Sequence, residues 1–313
     1  MNKRKPPTRG RQRGPGRSHD FPQDQRHKPH RHDQVRRPER AGAAPVRGHR
    51  DESPRDQPRA RSRDHAGDRP REREQPGGPY WLYGHHAVDA ALANPERKIL
   101  RLAQSGAGEV PVVEGHEWEQ VPRDILESWL PPGAVHQGLA AKVHPLPDHG
   151  IEDVIAEAEG QEHAQVMILD QVTDPQNVGA ILRSAAAFGA LAVILTERHA
   201  APESGALAKA ASGALEHVPL IRVANLARAL ELLKKGGFWI AGLAAEGSQT
   251  LAEAKLTGKV GLALGAEGPG LRRLTREHCD LLVRLPTGGP IDHLNVSNAA
   301  AVALYELVRG RGD

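Results

Sequence analysis

The chain has 313 residues, with 42 Lys/Arg against 39 Asp/Glu for a net charge of +3. That length holds one to three domains, and a single cysteine, Cys279, excludes an intramolecular disulfide and points to a reducing cytoplasm. No apolar run approaches the roughly 20 residues of a membrane span and no secretory signal is apparent, so neither a membrane protein nor a secreted one is expected.

Charge is unevenly divided. Residues 1–78 carry 22 Lys/Arg and 11 Asp/Glu, many Pro, Gly, His and Gln, and one aromatic, Phe21. Such a segment cannot bury enough apolar surface to offset the entropy of ordering it, and is expected to be a disordered basic tail. Its charge of +11 leaves −8 on residues 79–313. An arginine-dominated tail suits loose, salt-sensitive contact with nucleic acid, and its composition fits a plain solubilising extension equally well. Acidic residues throughout argue against a transit peptide.

Order is expected from Pro79 and Tyr80, with a strand at 80–83, a helix from His86 to Leu92 and a second strand at 98–103. Residues 105–115 are too glycine-rich for a long element; a short helix at 124–130 and a strand at 136–143 follow. The stretch 144–150, with two prolines and a glycine, reads as an interdomain linker. Residues 79–148 thus form a small α/β unit, and 149–313 a second domain. There Ile151, Val154, Ile155 and Ala158 mark one helix face, and apolar strands at 165–170, 191–196, 218–223, 238–244, 260–268 and 281–286 alternate with helices. Within 225–237, Leu226, Ala229, Leu230 and Leu233 line one face, Asn225 suits the start, and Lys234, Lys235 and Gly236 suit the end. Near-continuous apolar strands alternating with helices indicate a mainly parallel α/β sheet covered on both faces.

Ligands in such sheets gather beyond the carboxyl ends of strands. Three of these ends carry unusual residues. After Asp170 comes a helix with Asn177 at its start and Arg183 six residues on, in otherwise small and apolar surroundings. Asn177 reads as an N-cap or a ligand contact, and Arg183 as a phosphate ligand or half of a structural salt bridge. The second end, 265–270, holds three glycines and Glu267, either a surface-turn carboxylate or an acceptor for a ribose hydroxyl, a guanine edge or an arginine. The third, after 281–286, leads to a helix opening with Asn295 and Ser297, caps or site residues. A dinucleotide-type G-x-G-x-x-G turn, a P-loop lysine, a metal-ligand cluster and a Ser/His/Asp order are all missing, so no metal is expected. The set suits positioning a sugar and a phosphate. Cys279, beside Asp280, reads as a packing residue.

In order and spacing, DPQNVGAILRSAAAFG, LALGAEGPGLRRLTREHCD and LPTGGPIDHLNVSNAAAVALYE resemble the three motifs of the SpoU/TrmH ribose 2′-O-methyltransferases. The resemblance covers about residues 165–309, and three separated motifs make it specific. The preceding GHHAVDAAL and HQGLAAKV resemble the family's small, L30e-like RNA substrate-binding domain, and the subgroup matched best methylates a guanosine of 23S rRNA. The resemblance implies S-adenosylmethionine as donor, a C-terminal trefoil knot of the SPOUT type and a cytoplasmic homodimer with a composite active site. By matched position it implies backbone contacts to the donor around Gly265, Leu285 and Leu294. Arg183, Asn177, Glu267 and Asn295 become the catalytic-site residues. A tRNA ribose methyltransferase and a non-catalytic ribosome-assembly factor on the same fold are the alternatives. The chain departs from the family at His293, where many relatives carry a small hydroxyl residue, and in having no helix between KILRLA and the EQV segment. Because the body is acidic, the tail is expected to supply much of the non-specific RNA affinity. Deleting residues 1–78 should then flatten the salt dependence of RNA binding, and an unchanged slope would contradict this.

Overall fold

A computed structural model describes residues 77–309 apart from His199 and Asp292, so the expected tail lies almost wholly outside the described residues. Two sheets make up the fold. The first belongs to β1 (Tyr80–Tyr83), α1 (His85–Ala93), β2 (Ile99–Gln104), β3 (Trp118–Gln120), α2 (Arg123–Trp129) and β4 (Leu139–Val143), with strand order β1-β4-β2-β3. β4 runs antiparallel to both β1 and β2, and β3 parallel to β2. No helix stands between β2 and β3, as the sequence indicates. The three-residue β3 carries no alternating pattern of its own.

The second sheet follows α3 (Ile151–Glu157). Its elements are β5 (Ala164–Asp170), α4 (Pro175–Ala187), β6 (Ala192–Thr196), α5 (Gly205–Ala211), β7 (Leu220–Val223), α6 (Leu226–Lys235), β8 (Trp239–Leu243), β9 (Gln249–Thr250), α7 (Leu251–Ala254), β10 (Lys259–Gly265), α8 (Arg273–His278), β11 (Leu281–Arg284) and α9 (Val296–Val308). The order is β7-β6-β5-β10-β8-β11-β9, and every pairing is parallel. Each residue of β5 is buried, as a strand covered on both faces requires. In α6 the four predicted apolar residues are the buried ones, Asn225 accepts from the Arg228 amide, and both lysines sit in the last turn. Among the described residues no helix is long and apolar enough to cross a membrane.

The two sheets share one apolar core. Tyr80, Leu82, Leu102 and Ala141 of the small sheet belong to the same buried cluster as Val178, Leu182 and Leu207 of α4 and α5. Contact is close because α5 begins with Gly205, where a Cβ would strike the Trp81 carbonyl and the Tyr83 ring. Residues 144–150, read from sequence as a linker, form no helix or strand and leave this core uninterrupted.

A buried ionic cluster fastens the same boundary. Arg97, between α1 and β2, has a fully buried side chain that pairs with Glu203 at 3.1 Å and with Glu216 at 2.7 Å. It also donates to the His144 carbonyl, and the Tyr80 hydroxyl donates to Glu203 at 2.6 Å. Burial, then the Glu203 charge, pushes the Tyr80 hydroxyl well above its ordinary range and keeps it a donor. Replacing Arg97 by Met leaves two carboxylates without their cation, and should cost about 3–5 kcal/mol in urea unfolding. A loss below about 1 kcal/mol, the scale of a surface pair, would contradict this role.

Candidate active site

β5, β10, β8 and β11 are parallel neighbours, so their carboxyl ends lie along one sheet edge. Asp170 ends β5 opposite Gly265, which ends β10. Leu285 directly follows β11, one strand beyond β8, roughly 10 Å from β10 at the usual strand spacing. The sequence thus brings Gly265 and Leu285 to one edge, and Leu294, just before α9, follows an exposed stretch at 286–291.

Asp170 is the residue the sequence reading passed over. Its carboxylate is fully buried and accepts from the Arg272 amide at 2.9 Å, Arg272 Nε at 2.6 Å and Thr275 Oγ1 at 2.7 Å. These bonds pull the segment after β10 down onto the end of β5. The only signal was an acidic residue closing an otherwise buried strand. At Gly265 a Cβ would collide with the Gly270 backbone, because the Gly270 amide donates to the Ala266 carbonyl and folds the loop back on itself. Gly268 and Gly270 take positive φ in that turn, a conformation glycine adopts without steric cost. Glu267 projects from it, exposed.

Asn177 is not an N-cap. Asp174 holds that position, accepting from the Gln176 amide, and Pro175 opens α4 two residues ahead of Asn177. A proline at the first helical position needs no amide partner, so Asp-Pro starts the helix. This frees Asn177, whose Oδ1 accepts from Asn295 Nδ2 at 3.1 Å. Asn295 does cap its helix: Oδ1 accepts from the Ser297 amide at 2.9 Å and from Ser297 Oγ at 2.6 Å. Its amide is therefore oriented with nitrogen toward Asn177, which leaves the Asn177 Nδ2 hydrogens for a ligand.

Arg183 lies on the exposed side of α4, about 9 Å along the helix axis from Asn177. Among the described residues none pairs with it, so the structural salt bridge weighed from sequence is not formed. Arg183 and Glu267 do not touch within one chain. His293 is exposed on the loop before α9. Cys279 packs under α8, its thiol pushed up to about 11, chiefly by burial, which suits packing and not nucleophilic attack. Among the described residues no group of His, Cys, Asp and Glu is placed to hold a metal.

Residues 164–305 match the SpoU rRNA Methylase family. The chain is 44% identical over 243 residues to the 23S rRNA (guanosine-2′-O-)-methyltransferase RlmB of Photorhabdus laumondii, covering 74% of this chain and 98% of that one. With RlmB of Escherichia coli K12 it shares 42% identity over 242 residues, again 74% and 98% of the two chains. The SpoU methyltransferase AviRb of Streptomyces viridochromogenes, solved with its cofactor AdoMet, superposes with a TM-score of 0.64 at 25% identity, over 75% of this chain and 91% of that one.

If Asp170 holds the loop after β10, Asp170→Asn should cost about 2 kcal/mol in urea unfolding by weakening hydrogen bonds to a charged acceptor. Unchanged stability would show that the loop is held elsewhere.

Proposed function

The chain belongs to the SpoU rRNA methylase family, and from that premise we propose that it methylates the 2′-oxygen of a guanosine ribose in 23S rRNA, with S-adenosylmethionine as donor. The observation that carries the site assignment is the Asn177–Asn295 pair, with an unpartnered Arg183 on the same helix as Asn177. The residues present fit the donor. Peptide groups of the 265–270 turn and the 285–294 loop offer hydrogen bonds to an adenine, and Leu285 and Leu294 offer apolar surface. Neither segment holds a lysine or arginine to repel a sulfonium.

Bound there, S-adenosylmethionine supplies an electrophilic methyl on a sulfonium sulfur. The protein's task is to place a ribose hydroxyl and draw off its proton. Arg183 does not deprotonate and is no general base. Its guanidinium instead grips the phosphate beside the reacting nucleotide in a bidentate pair, which positions the 2′-hydroxyl and lets that phosphate take the proton. Asn177 donates from Nδ2 to the nucleotide while Asn295 holds its carbonyl oxygen, and Glu267 accepts from a ribose hydroxyl or a guanine edge.

A trefoil knot is part of this reading. Its support is that β11 lies between β8 and β9, while the segment joining those two strands crosses it. In that crossing the Ala244 amide donates to the Val283 carbonyl, and Arg284 Nη1 donates to the Gly247 carbonyl, both at 2.9 Å. A homodimer with a composite site is supported by exposed Leu294, Val302 and Tyr305 on and beside α9, and by the separation of Arg183 from Glu267. Residues 79–148 are assigned to substrate binding in an L30e-like domain, residues 149–313 to methyl transfer, and the protein to the cytoplasm, where ribosomal RNA is the partner.

Labelled S-adenosylmethionine and 23S rRNA transcripts test the assignment. Arg183→Ala should lower kcat/KM by about 100-fold, the scale of losing substrate alignment, with donor affinity by calorimetry unchanged. Unimpaired transfer by the variant would contradict the role of Arg183.

A further inference from the structure

A wide cleft lies away from the Asn177–Asn295 pair. It has a volume of about 1130 Å³ and opens on the small sheet between the ends of β2 and β3, helix α2 and the 131–138 loop. We propose that it is a second RNA site, which takes one unpaired nucleotide of the substrate. This rests on the methyltransferase reading above.

The argument starts from His136. Its side chain is 4% exposed and lines the cleft. Nδ1 accepts from the Gly138 amide at 3.1 Å, so in the neutral ring the proton sits on Nε2. Nε2 has no hydrogen-bond partner, and the nearest carboxylate oxygen, of Glu127, stands off at 3.6 Å. The same Glu127 oxygen accepts from Arg123 Nε at 2.8 Å, and Arg123 first, with His136 second, holds its carboxyl below the usual range. Buried donors are rarely left without an acceptor, and those that are need an explanation. Glu127 and Arg123 are 50% and 79% exposed, so both side chains move aside at little cost and open a path to Nε2.

The remaining lining states what acceptor fits. Pro131, Pro132 and Val135, the last 66% exposed, offer an apolar face on which a base can lie. Gln120 presents an amide whose oxygen can accept from a base edge, since its nitrogen is engaged by the Gly106 carbonyl. Arg123 reaches a backbone phosphate once it leaves Glu127. An unstacked nucleotide is recognised by a flat side chain against its base, polar groups at the base edge and a cation at its phosphate. Here the proline and valine faces and the Arg123 guanidinium take the first and last of these parts. The cleft is also tied to the methyltransferase sheet: Gln137, held at φ 55°, accepts from Lys209 Nζ of α5 at 2.8 Å. A nucleotide seated beside His136 therefore sets the register of the RNA over the site at Asn177.

The test uses the full chain, protein-free 23S rRNA transcript and labelled S-adenosylmethionine, with Val135→Trp to block the cleft mouth and Arg123→Ala to remove the cation. Both positions are exposed, so folding is not at stake. Each variant should raise the KM for RNA and the filter-binding Kd by about 10-fold, the scale of one lost base contact, with kcat at saturating RNA unchanged. Unchanged KM and Kd in both variants would overturn the proposal. So would a defect confined to ribosomal particles, which would make the cleft a protein-docking site. If the unsubstituted chain binds the transcript but transfers no methyl, the preceding reading fails, and the Kd values alone still decide the fate of the cleft.

Discussion

The buried carboxylate of Asp170 constrains everything built at the sheet edge. It ends a strand whose every residue is buried, and its oxygens are shut off from bulk solvent. Its three donors come from a segment more than a hundred residues later, Arg272 and Thr275. Satisfying that carboxylate forces the chain after β10 to double back at once. Only glycine at 265 tolerates the resulting approach of the Gly270 backbone. The shape of the 265–270 turn thus follows from the need to satisfy one buried polar group, and the exposed position of Glu267 follows from that turn.

A second long-range constraint joins the substrate side to the chemical side. Arg97 pairs with both Glu203 and Glu216 where its own side chain is fully buried, and Tyr80 closes the ring of hydrogen bonds. Together with the continuous apolar core and the Lys209–Gln137 bond, it docks the small sheet onto α5. The small sheet is therefore held at a fixed distance and angle from the sheet edge that carries Asn177 and Gly265.

Much of this was legible in the sequence, and the reasons for the exceptions are physical. Alternation of apolar strands with helices announced a parallel sheet, and the heptad-like face of α6 was recovered residue by residue. Asn295 as a cap followed from local chemistry, because capping is decided within three residues. Asn177 was misplaced as a possible cap because the Asp174–Pro175 start signal was passed over in favour of an asparagine three residues on. β9 and α7 escaped notice because elements of two and four residues carry no period. Asp170, Arg97, Glu203 and Glu216 could not be read as anchors at all. Their ion pairs span 102 to 119 residues, and nothing in local pattern couples such distant positions. The order that sets β11 between β8 and β9 is beyond periodicity for the same reason.

The placement of Asn177, Asn295 and Arg183 has its meaning only if one ribose of ribosomal RNA is the target. Mapping 2′-O-methyl groups across the 23S rRNA of cells without this protein tests that most directly. The account predicts that a single guanosine loses its methyl group, restored by the intact chain and not by Arg183→Ala. A complete set of 23S rRNA 2′-O-methyl groups in those cells, with a tRNA ribose left unmodified instead, would contradict it.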